Sequence, residues 1–264
     1  MAYRKMLVER DGPLAILTFN DPAHLNAIDS ELRVEFVAAA NAALDDPDVR
    51  AILITGAGRG FCAGANLKEV SGDQARGVVP NVDERLRKYI NPLLVRMAES
   101  EKPVVSAVNG AAVGVGCGIA LAADIVLVGE SGYFLQSFIR LGVVPDGGSS
   151  WTIPRLAGRG RAAGMMLLGE RIEAAQAVDW GLAWRMISDA DLPRVAREIA
   201  GQLAHGPTLA YGRIKEMLRK SESNGFADQL DLEAARQIQS FETDDCREGV
   251  AAFIEKRPAR FAGR

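Results

Sequence analysis

A single acid, Asp146, stands between a proline and two glycines in VVPDGGSSW, residues 143–151, with two serines and a tryptophan just behind it. Pro145, Asp146, Gly147 and Gly148 are the residue types that tight turns select, so turn chemistry alone accounts for Asp146 as a polar corner. The other chemistry open to an isolated carboxylate is general-base catalysis, taking a proton from a bound substrate. Residue types do not separate the two readings.

Two glycine-rich turns offer a second kind of chemistry. One is TGAGRGFCAGANL, residues 55–67, and the other is VNGAAVGVGCGIALAAD, residues 108–124. Neither is a nucleotide signature, because no Gly-Lys pair completes a P-loop and Gly114, Gly116 and Gly118 do not satisfy GxGxxG. Glycines there allow a helix to pack closely on a sheet. The turn at 114–116 also leaves N–H groups unpaired at a helix start, where negative charge is favoured. Two such turns facing each other would aim two backbone donors at one oxygen, the oxyanion hole needed wherever a carbonyl gains negative charge.

Nucleophilic machinery lacks parts. The histidines are His24 and His205, no GxSxG elbow surrounds Ser149 or Ser150, and no ligand cluster for a metal is apparent. Cys62 and Cys117 lie in apolar or glycine company that suits buried structural thiols.

The elements that must hold these residues follow an α/β rhythm. LAILTFN (14–20) and AILITG (51–56) are short apolar runs ended by turn residues, with the helical pattern ELRVEFVAAANAALDD between them. The rhythm returns as VVSAV (104–108), a glycine turn with a helix to about residue 123, and IVLVGE (125–130), which predicts right-handed crossovers in an α/β core. After residue 160, IEAAQAVDWG, LPRVAREIAGQLAHG, PTLAYGRIKEMLRKS and DQLDLEAARQIQSF read as amphipathic helices. SGDQARGVVPN (71–81) reads as a mobile loop.

Composition bounds the partners. The 264 residues suffice for a substantial core, and 48% hydrophobic with 25% charged residues is ordinary for a globular protein. A net charge of −3 gives no electrostatic reason to expect nucleic acid or an anionic membrane, although local basic clusters can still hold a phosphate. Three separated cysteines supply neither a disulfide framework nor a CxxC knuckle. The N-terminus lacks the apolar stretch of a secretory signal, and no apolar run approaches a membrane span, so a soluble cytoplasmic protein is expected.

Taken together, RGFCAGANLKE, AVNGAAVGVGCGIALAADIVL, LGVVPDGGSSW, REGVAAFIEKRPARF and HLNAID resemble, over nearly the whole chain, the landmarks of the crotonase (enoyl-CoA hydratase/isomerase) superfamily. YINPLLVRM (89–97) and ADQLDLEAARQIQ (227–239) look most similar to its ring-1,2-epoxyphenylacetyl-CoA isomerases. The resemblance implies an α/β crotonase (ClpP-like) fold, with repeated ββα units forming a spiral core and a helical C-terminal part. It divides the chain into a core at 1–200 that binds acyl-CoA and a helical trimerisation region at 201–264. It also implies a homotrimer or homohexamer.

Members of that family stabilise a thioester enolate with two backbone amides, which by position are those of Ala65 and Val115. The substrate is a coenzyme A thioester, with no tightly bound cofactor and no metal implied. His24, Leu25, Ala27, Ala63, Asn66, Leu67 and Lys68 match the CoA segment, and Gly114 and Phe138 match the acyl pocket. Phe253 and Lys256 match contacts to the nucleotide of a neighbouring subunit. Val115 stands where the family usually has a small residue, and Asn66 where an aspartate is common.

The two glutamates that activate water in the family's hydratases correspond here to Gly118 and Phe138, neither of which transfers a proton. Asp146 falls where several isomerases carry their working aspartate. An isomerase with Asp146 as base is therefore expected. The alternatives are a hydratase with a non-standard acid and a noncatalytic acyl-CoA binder. Tyr133, Phe134, Phe138 and Ile139 would form an apolar wall, with Phe134 more a core residue and Phe138 more a pocket residue. Asp124, between a helix and a strand, reads as structural.

Overall fold

The computed structural model describes residues 3–75 and 81–264. Its ten strands among those residues are β1 (Met6–Asp11), β2 (Leu14–Phe19), β3 (Ala51–Gly56), β4 (Gly60–Cys62), β5 (Val104–Val108), β6 (Ala111–Val113), β7 (Ile125–Gly129), β8 (Tyr133–Leu135), β9 (Arg171–Glu173) and β10 (Arg185–Ile187). The α-helices are α1 (Ser30–Asp45), α2 (Leu67–Ala75), α3 (Asn91–Glu99), α4 (Val115–Leu121), α5 (Ser149–Ala157), α6 (Arg159–Leu168), α7 (Ala174–Asp179), α8 (Leu192–Ala204), α9 (Thr208–Ser221), α10 (Phe226–Phe241) and α11 (Asp244–Glu255).

A six-stranded sheet runs β1-β2-β3-β5-β7-β10, parallel except for the β1/β2 hairpin. A four-stranded sheet runs β4-β6-β8-β9, with only β9 antiparallel. The chain alternates between them. Each long strand of the first sheet (β3, β5, β7) is followed by a three-residue strand of the second (β4, β6, β8), and each such pair leads to a helix (α2, α4, α5). This is the expected ββα unit.

The long apolar runs form strands because both faces of the large sheet are covered, so nearly every position is buried, as in β5, where all five residues are. One face carries Phe19, Phe36 and Phe61, whose rings meet at 4.8 Å (Phe19–Phe36) and 5.6 Å (Phe19–Phe61). Burying each ring contributes on the order of 2 kcal/mol. On the other face α8 lays Leu192, Ala196, Ala200 and Ala204 against Leu14, Leu53 and Val105.

Two expectations need correction. Ile172 and Glu173 belong to β9, so the helix expected from 172 starts at Ala174; pairing of Ile172 with Phe134 across the small sheet overrides the helical pattern. In 71–81, residues 71–75 complete α2, because the Asn66 side chain caps it by accepting from the Lys68 N–H at 3.0 Å. Residues 76–80 of that stretch lie outside the described residues.

The C-terminal helices are tied to the sheets by Lys215 on α9. Its buried ammonium donates to the carbonyls of Met97 and Lys102 and lies 2.9 Å from the carboxylate of Asp124. Asp124 also accepts from the Val104 N–H at 2.7 Å, a structural placement that matches the sequence reading.

Candidate active site

Three loops meet at the edge of the small sheet. The first follows β4, anchored by the fully buried Phe61. Gly64 adopts a positive φ of 86°, and a Cβ there would lie 2.7 Å from the Val113 carbonyl oxygen and 3.8 Å from the Gly114 Cα. Only glycine fits so close to the second loop. Ile28 holds the first loop from the opposite side, with its N–H donating to the Gly64 carbonyl (2.6 Å) and its carbonyl accepting from the Asn66 N–H (3.0 Å). These bonds flank Ala65 in a parallel bridge, so the N–H of Ala65 points away from Ile28.

The second loop follows β6. The Gly114 N–H donates to the Leu135 carbonyl at 2.8 Å, and α4 begins at Val115. As the first helical residue, Val115 has an N–H with no intrahelical acceptor. Neither the Ala65 nor the Val115 amide donates to another group among the described residues. Phe138 lies over this loop, its ring 3.5 Å from where a Cβ on Gly114 would be.

The third loop carries Asp146. Gly147 packs on Val115, with its Cβ position 3.3 Å from Val115 Cγ2, and a Cβ on Gly118 would fall 2.4 Å from the Gly147 carbonyl oxygen. The Asp146 turn is thus seated on the first turn of α4. Asp146 is the corner of a turn, its carbonyl accepting from the Ser149 N–H at 3.0 Å, and the residue is only partly exposed. Oδ1 is buried and has no hydrogen-bond partner. Burial alone pushes the carboxyl up to about 6. A carboxylate that is partly desolvated, with one oxygen left unpaired, has both the basicity and the free lone pair that proton abstraction needs.

The remaining predicted residues fall into two groups. His24, Leu25 and Ala27 run beside the first loop, where the Leu25 carbonyl accepts from the Ala63 N–H at 3.0 Å. Buried Asn26, which sequence reasoning passed over, straps the two segments together through the carbonyls of Ala57 and Gly60 (3.0 and 2.7 Å). His24 is half exposed, and its Nδ1 meets Asp21 at 2.8 Å. Leu67 and Lys68 are exposed on the first turn of α2, and the Asn66 side chain is engaged as the helix cap. Phe253, 86% exposed, and Lys256 lie at the end of α11 and make no hydrogen bond to the three loops among the described residues.

Phe134 is fully buried core, as expected, while Ile139 is 45% exposed. Cys62 and Cys117 are buried thiols pushed to about 12 by burial, which removes them as nucleophiles near neutral pH. Sequence reasoning also missed Gln136, which is fully buried behind the site with its Nε2 donating to Ser149 Oγ at 3.0 Å. A polar residue directly after the apolar strand YFL was the available signal. A cleft of about 670 Å³ lies elsewhere, between the large sheet and α8, and none of the predicted site residues lines it.

The enoyl-CoA hydratase/isomerase family profile matches residues 9–264. The chain belongs to that family. Over 248 residues, 94% of each chain, it is 40% identical to the 1,2-epoxyphenylacetyl-CoA isomerase of Escherichia coli K12. Over its full length it is equally similar, at 40%, to a protein of Rhodobacter capsulatus described as a probable enoyl-CoA hydratase, again covering all of that chain. The crystal structure of an enoyl-CoA hydratase from Polaromonas sp. JS666 superposes with a TM-score of 0.88 at 33% identity, covering 97% of this chain and 99% of the other. The spiral of ββα units is therefore the crotonase fold, and relatives of similar closeness carry both isomerase and hydratase names.

Proposed function

We propose that this family member is an acyl-CoA isomerase in which Asp146 is the base. The observation that carries this reading is the Asp146 carboxyl, whose buried Oδ1 has no partner, on a turn that packs against Val115 through Gly147. In this reading the thioester oxygen accepts from the amides of Ala65 and Val115, which stabilises the enolate formed when a proton leaves the acyl chain. Losing one such donor typically costs ~3 kcal/mol of barrier, so the pair is the larger catalytic contribution. For a 3-enoyl-CoA, Asp146 takes a proton from C2 and returns it to C4, moving the double bond into conjugation with the thioester. One base on one face suffices, and no water is added.

The hydratase reading requires acids where this chain has Gly118 and Phe138. A glutamate at Gly118 would collide with the Gly147 carbonyl, which supports isomerisation over hydration. A noncatalytic binder has no use for an ionisable group held partly desolvated and unpaired at the cost of stability. The CoA portion is assigned to His24, Leu25, Ala27, Ala63, Asn66, Leu67 and Lys68, with Gly114 and Phe138 facing the acyl group. Phe253 and Lys256 reach the nucleotide of an adjacent subunit in a trimer or hexamer built through the C-terminal helices, the region at 201–264. No helix among the described residues is long and apolar enough to cross a membrane, and a cytoplasmic setting is part of the same proposal.

The substrate is a 3-enoyl thioester or, as the name of the Escherichia coli relative suggests, the ring epoxide of phenylacetyl-CoA. Incubation with crotonyl-CoA and mass spectrometry tests for added water, while 3-hexenoyl-CoA and the ring epoxide test for isomerisation. Isomerised product without a hydrated one supports the reading, as does its loss in Asp146→Asn with CoA binding retained. Hydration of crotonyl-CoA, or full activity of Asp146→Asn, overturns it.

A further inference from the structure

We propose that Gln136 is a positioning residue that sets the spacing between the Val115 amide and the Asp146 carboxylate. The proposal rests on the role given to Asp146 above. Gln136 follows β8 and exposes no surface. Its Nε2 donates to Ser149 Oγ at 3.0 Å, and Ser149, the first residue of α5, donates its own N–H to the Asp146 carbonyl at 3.0 Å. On the other side the same carboxamide lies near enough to the sulfur of Cys117, two residues beyond Val115 on α4, to favour its thiolate. Directly before it, the Leu135 carbonyl takes the N–H of Gly114. One side chain therefore touches both the helix that presents the Val115 amide and the helix start that presents the base.

This placement is unfavourable for stability. Gln136 Oε1 is buried without a partner, and burying a polar atom unpaired costs more than an apolar side chain of similar volume would. Turning the carboxamide over keeps the link to Ser149, because a hydroxyl both donates and accepts, but it only transfers the deficit to the nitrogen. Local violations of this kind concentrate where function sets the geometry. The van der Waals contact of Gly147 on Val115 fixes how closely the turn sits, whereas the Gln136 bonds fix its direction.

The test uses the full-length protein and the conversion of 3-hexenoyl-CoA, with Gln136→Leu, Ser149→Ala and the double variant. A displaced base is expected to lower kcat on the order of 10- to 100-fold while KM stays within about twofold. The acid limb of the pH profile moves below its wild-type position, because a loosened turn lets water reach the carboxylate. The double variant falls no further than the worse single one, since both break the same link. Ser149→Ala keeps the volume nearly unchanged and reports the same link should Gln136→Leu fail to fold. An unchanged kcat and acid limb in a folded variant, with Asp146→Asn inactive, overturns the role of Gln136. So does a loss of activity that merely tracks the unfolded fraction. Activity in Asp146→Asn would instead overturn the assignment of the base.

Discussion

A Cβ on Gly118 would lie 2.4 Å from the carbonyl oxygen of Gly147, well inside contact distance. The helix that carries the Val115 amide and the turn that carries Asp146 are pressed together at one of the two places where the family's hydratases, by resemblance, carry a glutamate. Replacing Gly118 with alanine is expected to push the turn off α4, lowering stability by about 1–3 kcal/mol and isomerase activity by more than the unfolded fraction explains. Thermal denaturation alongside kcat measured well below the melting transition checks both. Gly118→Glu is expected to lose isomerisation without gaining hydration, read by mass spectrometry on crotonyl-CoA.

The Asp146 carboxyl titrates at about 6 in the folded protein against an ordinary 3.8, with burial as the cause. In its proposed role as base it works only when ionised, so kcat/KM should rise as the pH climbs through about 6 and level off above. The stability consequence has the opposite sign. The folded state holds this proton more tightly than the unfolded chain, so stability is full below 3.8 and falls as the pH rises through about 6. The displacement corresponds to about 3 kcal/mol. Asp146→Asn should therefore be more stable than wild type at pH 7 and indistinguishable at pH 3.5, in urea denaturation at the two pH values. A variant that is less active and more stable is the signature of an acid held dry for catalysis.

The sequence made the large sheet legible and left the small one hidden, for a physical reason. LAILTFN, AILITG, VVSAV and IVLVGE are long apolar runs covered on both faces, whereas GFC, AAV and YFL are three-residue strands with no period to detect. Asp146 was visible as a turn residue, and its second character needed the packing of Gly147 on Val115 to bury it. Asn26 and Gln136 stayed hidden because a buried amide is recognised by the carbonyls, hydroxyls and thiols around it, which come from distant parts of the chain.

Lys215 joins the C-terminal helices to the core, and its partner Asp124 sits just before β7, an inner strand of the large sheet, with its carboxyl held up by burial. Lys215 is buried while Asp124 reaches solvent, so losing the ammonium removes two carbonyl bonds and a half-screened ion pair, at a cost of about 1–3 kcal/mol. Lys215→Ala should show that loss in chemical denaturation. Lys215→Met with Asp124→Asn should recover a substantial part, because no lone charge remains. Equal losses in the single and double variants would mean that the two carbonyl bonds of Lys215, to Met97 and Lys102, matter more than the ion pair.

Gly64 bears most directly on the proposed oxyanion site. Its φ of 86° is a conformation that a side chain strains, and a Cβ would enter contact with the Val113 carbonyl at 2.7 Å. Gly64→Ala must move the first loop away from the second, and the Ala65 amide moves with it. Strain of this kind costs about 1–3 kcal/mol of stability. The larger effect falls on the reaction, because a donor displaced from the developing oxyanion costs ~3 kcal/mol, roughly a 100-fold loss in kcat. The segment at 24–27, proposed to hold CoA, is strapped to residues 57 and 60 by Asn26, upstream of the change, so CoA binding by calorimetry should remain near wild type. A Gly64→Ala protein that binds CoA normally but turns over slowly places the defect at the thioester oxygen; one that turns over at the wild-type rate removes the Ala65 amide from the mechanism.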